Sequence, residues 1–69
     1  MIFMKITVNG SEKELNGIDT LFDLIEQVTS NGQRLVAEVN GEIVRNPLWS
    51  EIKLNDGDRI ELVTFVGGG

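Results

Sequence analysis

Apolar and polar positions alternate with a period of two at three places along the chain, and between them the pattern switches once to a helical period. Met4, Ile6 and Val8 alternate with Phe3, Lys5 and Thr7, which predicts a strand with one face on a core. Asn9-Gly10 follows, a dipeptide suited to the two positive φ angles of a two-residue hairpin turn. The expected return strand is Glu12 to Leu15. After Asn16-Gly17, the residues Leu21, Leu24, Ile25 and Val28 fall at i, i+3, i+4 and i+7, a single apolar stripe on a helix. Thr20 stands at the N-cap position with Asp23 three residues on, a weaker form of the capping box, and Asn31-Gly32 supplies the stop signal.

The period of two returns at Leu35, Ala37 and Val39. Asn40-Gly41 predicts a second hairpin turn into a short strand, Glu42 to Arg45. Asn46-Pro47 ends that pairing, because proline has no N–H to give to a ladder. Leu48 and Trp49 are expected to dock as a short turn against the core. Asn55-Asp56-Gly57-Asp58 is a tight turn that delivers the last strand, Arg59 to Val66. The order ββαββ with a final strand predicts an α+β fold, a mixed sheet of four to five strands with one helix packed on one face. Residues 1–66 read as one domain and 67–69 as a flexible tail. Ile6, Val8, Leu24, Ile25, Val28, Ile60 and Leu62 are the expected core.

On the last strand, Ile60 and Leu62 facing the helix place Arg59, Glu61, Val63 and Phe65 on the opposite face. If this strand pairs with the first, Phe3 is expected beside Val63 and Phe65 as an exposed apolar patch. Such patches mark protein contacts.

Length and charge narrow the function. A 69-residue chain has room for one small core and buries only about 60% of its unfolded surface, which leaves little depth for a water-excluding active site. It contains no His, Cys or Tyr, so thiolate chemistry, disulfides and the usual neutral-pH acid–base group are absent. Independent enzymatic activity and a bound cofactor are not expected. Eleven acidic residues against six basic ones give a net charge of −5, which repels a phosphate backbone. Lys5, Lys13, Arg34, Arg45, Lys53 and Arg59 are spread singly and form no basic stripe, so nucleic acid is not an expected partner. The apolar start, Met1 to Met4, is interrupted by Lys5 and lacks the pattern of a cleaved leader. With no membrane-spanning run, a cytoplasmic protein, monomeric when free, is expected. Asp56-Gly57-Asp58 has the opening spacing of a calcium loop, but Gly67 falls where an EF-hand needs its glutamate. A turn is expected, and no metal site.

The remaining feature is the terminus, Gly67-Gly68-Gly69, directly after an apolar strand. Without Cβ atoms these residues can thread a narrow partner channel. The terminal carboxylate, with an ordinary pKa of about 3.3–3.7, is ionised at neutral pH and is the best candidate for the reacting group.

The stretch Ala37-Glu38-Val39-Asn40-Gly41-Glu42-Ile43-Val44, the aromatic Trp49, the run Asp56-Gly57-Asp58-Arg59-Ile60-Glu61-Leu62-Val63 and the ending Phe65-Val66-Gly67-Gly68-Gly69 together resemble the ThiS-type sulfur carriers of the ubiquitin-like β-grasp fold. The resemblance runs over nearly the whole chain. The family's terminal Gly-Gly maps to Gly68 and Gly69, and Gly67 lengthens the tether. The resemblance implies that a ThiF-like adenylyltransferase uses ATP to adenylate Gly69. Sulfur from a cysteine desulfurase or other donor then displaces AMP, and the resulting thiocarboxylate passes to a ThiG-like thiazole synthase in thiamin biosynthesis. Gly69 would be the attachment point, Gly67 and Gly68 the threading tail, and Phe3, Val63 and Phe65 the docking surface.

Three alternatives share parts of the pattern. The small subunit of molybdopterin synthase has the same fold and terminal chemistry but often a proline-containing segment before the glycines, where this chain has Thr64-Phe65-Val66. A protein modifier would end in an isopeptide bond to a target lysine. A plain β-grasp binding module would not need its last two glycines.

Overall fold

A computed structural model describes residues 3–29 and 35–64. Its elements are β1 (Phe3–Val8), β2 (Ser11–Asn16), α1 (Leu21–Val28), β3 (Leu35–Val39), β4 (Glu42–Val44), a 3-10 helix at Asn46–Glu51, and β5 (Arg59–Thr64). The strands form a five-stranded sheet in the order β2-β1-β5-β3-β4. The two hairpins and the β3–β5 pair are antiparallel. The first and last strands run parallel, which makes the sheet mixed and places β5 at its centre.

Both hairpin turns follow the sequence reading for a local reason. Asn9 and Asn40 have φ of 50° and 52°, and Gly10 and Gly41 have φ of 84° and 90°, so both central residues of each turn lie in the left-handed region that matches the twist of the flanking strands. The Thr20 hydroxyl accepts a 3.2 Å hydrogen bond from the Asp23 N–H, the expected N-cap. At the other end, the Thr29 N–H and its hydroxyl both donate to the Ile25 carbonyl, at 2.9 and 3.1 Å. The helix therefore stops at Val28; the Asn31-Gly32 stop signal lies outside the described residues.

The core lies between α1 and one face of the sheet. Ile6, Val8, Leu24, Ile25, Ile60 and Leu62 are buried as expected, and Met4, Leu15, Leu21, Ala37, Trp49 and Leu54 complete the cluster. The Trp49 ring is buried and its Nε1–H donates to the Val44 carbonyl at 2.9 Å, which anchors the 3-10 segment to the end of β4. Two expectations are corrected. Val28 is 39% exposed, because it is the last residue of α1 and faces an open groove that it shares with Val8, Leu35 and Leu62. Leu48, expected to dock with Trp49, is 47% exposed, since consecutive residues of a 3-10 helix point about 120° apart and only one of the two can face the core.

Asp58 is the buried charged residue among those described. Its Oδ1 accepts from Asn40 Nδ2 at 2.9 Å and its Oδ2 from the Asn55 N–H at 2.7 Å, while Asp56 Oδ1 accepts from the Lys5 N–H at 2.7 Å. Both carboxylates thus tie the turn before β5 to its neighbours. Asp58→Ala strands two donors and is expected to cost about 2 kcal/mol, read as a lowered urea midpoint at unchanged slope.

Candidate functional site

β5 is the strand that runs into the glycine tail, and its central position fixes where the tail begins. One side is zipped to β3 through Thr64, whose register partner is Leu35. The other side meets β1 at Thr7↔Arg59 and Val8↔Ile60, and the backbone ladder there ends with the Asn9 N–H donating to the Ile60 carbonyl at 2.9 Å. Beyond it, the Asn9 side chain takes over: Oδ1 accepts from the Leu62 N–H at 2.7 Å and Nδ2 donates to the Leu62 carbonyl at 3.1 Å.

The two faces of β5 differ. Ile60 and Leu62 enter the core, and Val63 points away from the helix at 55% exposure. Val63 pairs directly with Val36 of β3, and Ile43 of β4 pairs with Glu38, the next outward residue on β3. Ile43 is 67% exposed. An apolar outer surface thus spans three strands, Val63, Val36 and Ile43, beside the point where β5 leaves the sheet. Next to it, Leu35, Val36, Ile43, Val44, Arg45, Asn46 and Pro47 line a shallow groove of about 370 Å³. On the inner side, Val8, Asn9, Val28, Thr29, Leu35, Leu62 and Thr64 line a second one of about 330 Å³ under the end of α1.

Phe3 does not belong to this surface. The sequence expectation put it beside Val63 if the first and last strands paired, and they do pair, but in parallel. Phe3 lies four residues before Thr7, and Val63 four residues after Thr7's partner Arg59, so the two are eight steps apart along the strand direction, about 26 Å at 3.3 Å per residue. Phe3 is exposed at the opposite end of the sheet, across from Asn16 of β2. Phe65, Gly67, Gly68 and Gly69 lie outside the described residues.

Val36 and Ile43 were missed because an exposed apolar residue on a strand gains meaning only once its neighbours are known. In the sequence, Asn9 and Asn40 show only as turn formers, each followed by Gly. Among the described residues no group of three His, Cys, Asp or Glu is placed to hold a metal ion, and no helix is long and apolar enough to cross a membrane.

A mixed five-stranded sheet grasping one helix, with the central strand leading to a terminal glycine run, defines a β-grasp domain of the ubiquitin-like kind. The sequence model of the ThiS family matches residues 6–69, from the middle of β1 through the last glycine. This chain belongs to the ThiS family of sulfur carriers. It is 36% identical over 64 residues to the sulfur carrier protein ThiS of Bacillus subtilis, covering 81% of this chain and 97% of that protein. The crystal structure of thiamine biosynthesis protein ThiS from Geobacter metallireducens superposes with a TM-score of 0.78 at 28% identity, over 96% of this chain and all of that one. The chain is also 33% identical over 66 residues to a thiazole synthase of Paramagnetospirillum magneticum, matching 96% of this chain but spanning only 20% of that protein's length.

Proposed function

We propose that this chain carries sulfur as a thiocarboxylate on Gly69 and delivers it to a thiazole synthase. The observation that bears most weight is the family match, which extends through the last glycine. A ThiF-like adenylyltransferase would supply the ATP site. The Gly69 carboxylate attacks the α-phosphate of ATP and expels pyrophosphate, forming an acyl adenylate. A sulfur nucleophile, from a cysteine desulfurase or another donor, then attacks the acyl carbon and expels AMP. No base on this chain is needed, because the carboxylate is already ionised. Residues 1–66 act as the recognised domain and 67–69 as the tether, in a cytoplasmic monomer that shuttles between partners.

The match to a thiazole synthase supports thiazole formation over pterin chemistry as the destination. For docking, the outer surface of Val63, with Phe65 two residues on, gains Val36 and Ile43 and loses Phe3. Val63→Asp puts a charge in the middle of that surface, at a position already solvent-exposed. It is expected to reduce charging by the adenylating enzyme about tenfold or more, as truncation of a central contact does, while costing at most about 1 kcal/mol in strand propensity. Unchanged charging kinetics would remove Val63 from the docking surface.

The deciding experiment is the intact mass of the chain after incubation with ATP, an adenylating enzyme active on another carrier of the family, and a sulfide source. Exchange of one oxygen for one sulfur supports the carrier reading. An intact mass that stays unchanged, with the enzyme demonstrably active on its own carrier, rejects it.

A further inference from the structure

We propose that Asn9 is a positioning residue for the glycine tail, acting through a side-chain rung that extends the grip on β5 by two residues beyond the end of β1. The role rests on the carrier reading, since it assigns Asn9 to the delivery of the terminal carboxylate.

A central strand is held on both sides only as far as both neighbours run. β1 turns away at Asn9-Gly10, and its last backbone bond to β5 is at Ile60. That would leave the N–H and carbonyl of Leu62 without partners on the β1 side. The Asn9 carboxamide presents the same acceptor and donor as a peptide group, and it satisfies both at 2.7 and 3.1 Å. Leu62 is therefore the last described residue of β5 tied to the β1 side; on the β3 side the register runs on to Thr64↔Leu35. Seven residues, Val63 to Gly69, follow Leu62 to the terminal carboxylate. Without the carboxamide rung, two-sided support ends at Ile60 and the direction of the exit is set by β3 alone.

The residue type fits this task narrowly. The turn requires φ near 50° at this position, which Gly and Asn adopt at least cost. Of these two, only Asn brings the carboxamide. Asp would keep the acceptor but lose the donor, and would set a charge against the Leu62 carbonyl.

Asn40 supplies a matched control inside the same molecule. It occupies the same place in the second hairpin, with φ 52°, and it too binds β5: its Oδ1 accepts from the Arg59 N–H at 2.9 Å and its Nδ2 donates to Asp58 at 2.9 Å. Those bonds lie at the start of β5, the end remote from the tail. A purely structural role for the two asparagines predicts similar consequences for both; a positioning role predicts that only Asn9 affects delivery.

The test compares Asn9→Gly with Asn40→Gly, both of which keep the left-handed turn conformation. Amide hydrogen exchange and ATP–pyrophosphate exchange with a ThiF-like adenylating enzyme are measured on the full chain, at a temperature where both variants are folded. In Asn9→Gly the Leu62 amide is expected to exchange at least about tenfold faster with the Arg59 amide unchanged, and Asn40→Gly is expected to show the reverse. KM for the carrier is expected to rise about threefold in Asn9→Gly, from a longer and less directed tether, with kcat retained because the chemistry follows seating. Asn40→Gly should leave KM unchanged. Equal KM values in the two variants, or an unaltered Leu62 amide in Asn9→Gly, overturn the positioning role and leave the carrier reading intact. A wild-type chain that supports no pyrophosphate exchange, with an enzyme active on its own carrier, overturns both.

Discussion

Deleting Gly68 and Gly69 is expected to abolish adenylation and thiocarboxylate formation while leaving the fold unchanged. The buried cluster among the described residues draws on residues 4 to 62, and the two deleted glycines carry no side chain to contribute to a core. The new terminus, Gly67, still carries an ionised carboxylate, but that carboxylate falls two residues short of where the full-length tail would place it, roughly 7 Å along an extended chain. A displacement of about 1 Å is already enough to lose two orders of magnitude in a positioned reaction, so no measurable charging is expected. The urea midpoint of the truncated chain should match that of the full chain. A truncated chain that is charged normally would mean that the terminal glycines do not deliver the carboxylate. A truncated chain that keeps partner function while neither it nor the full chain is charged would point instead to a β-grasp binding module with a dispensable tail.

Leu24→Ala is expected to leave the domain largely unfolded at physiological temperature. Leu24 has no exposed surface, and it packs in one cluster with Ile60, also fully buried, and Leu21. Truncating a leucine in such a site costs about 2–5 kcal/mol, and a domain of this length has a total stability of about 3–10 kcal/mol. With no cysteine to form a disulfide, a chain at the lower end of that range has nothing left. Val28→Ala provides the contrast: the side chain belongs to the same apolar stripe in sequence but is partly exposed, and its loss is expected to cost less than about 1 kcal/mol. Urea melts of the two variants against the parent check both values. Equal losses would show that Val28 is packed as tightly as Leu24.

Much of the fold was legible because it is encoded locally. The two Asn-Gly turns fix their hairpins through backbone angles that few other residues adopt. The spacing of Leu21, Leu24 and Ile25 orients the helix, and the Thr20 cap closes its start within one turn. Of the proposed site, the terminal glycines and their carboxylate stand in the sequence itself, because an unsubstituted backbone at a chain end is the chemical feature. Val63 could be placed on the outer face by counting from Ile60 and Leu62, since the period of two holds within a strand.

What the sequence left open concerns pairs of segments distant along the chain. That β1 and β5 lie side by side could be supposed, but whether they run parallel or antiparallel depends on how the helix and 3-10 segment return the chain to the sheet. That direction alone moved Phe3 from beside Val63 to the opposite end. The Val63, Val36 and Ile43 surface likewise required the strand order, because the Asn40-Gly41 turn makes β3 and β4 neighbours but nothing local says that β5 lies on the other side of β3. The second function of Asn9 has the same origin. Its place in a turn is dictated by the residue that follows it, Gly10, whereas its grip on Leu62, 53 positions away, exists only after the sheet closes. Alternation, capping and turn chemistry act over a few residues and survive in a one-dimensional reading; strand order, direction and side-chain rungs are settled by which packing of the whole chain buries the most apolar surface with every backbone group paired.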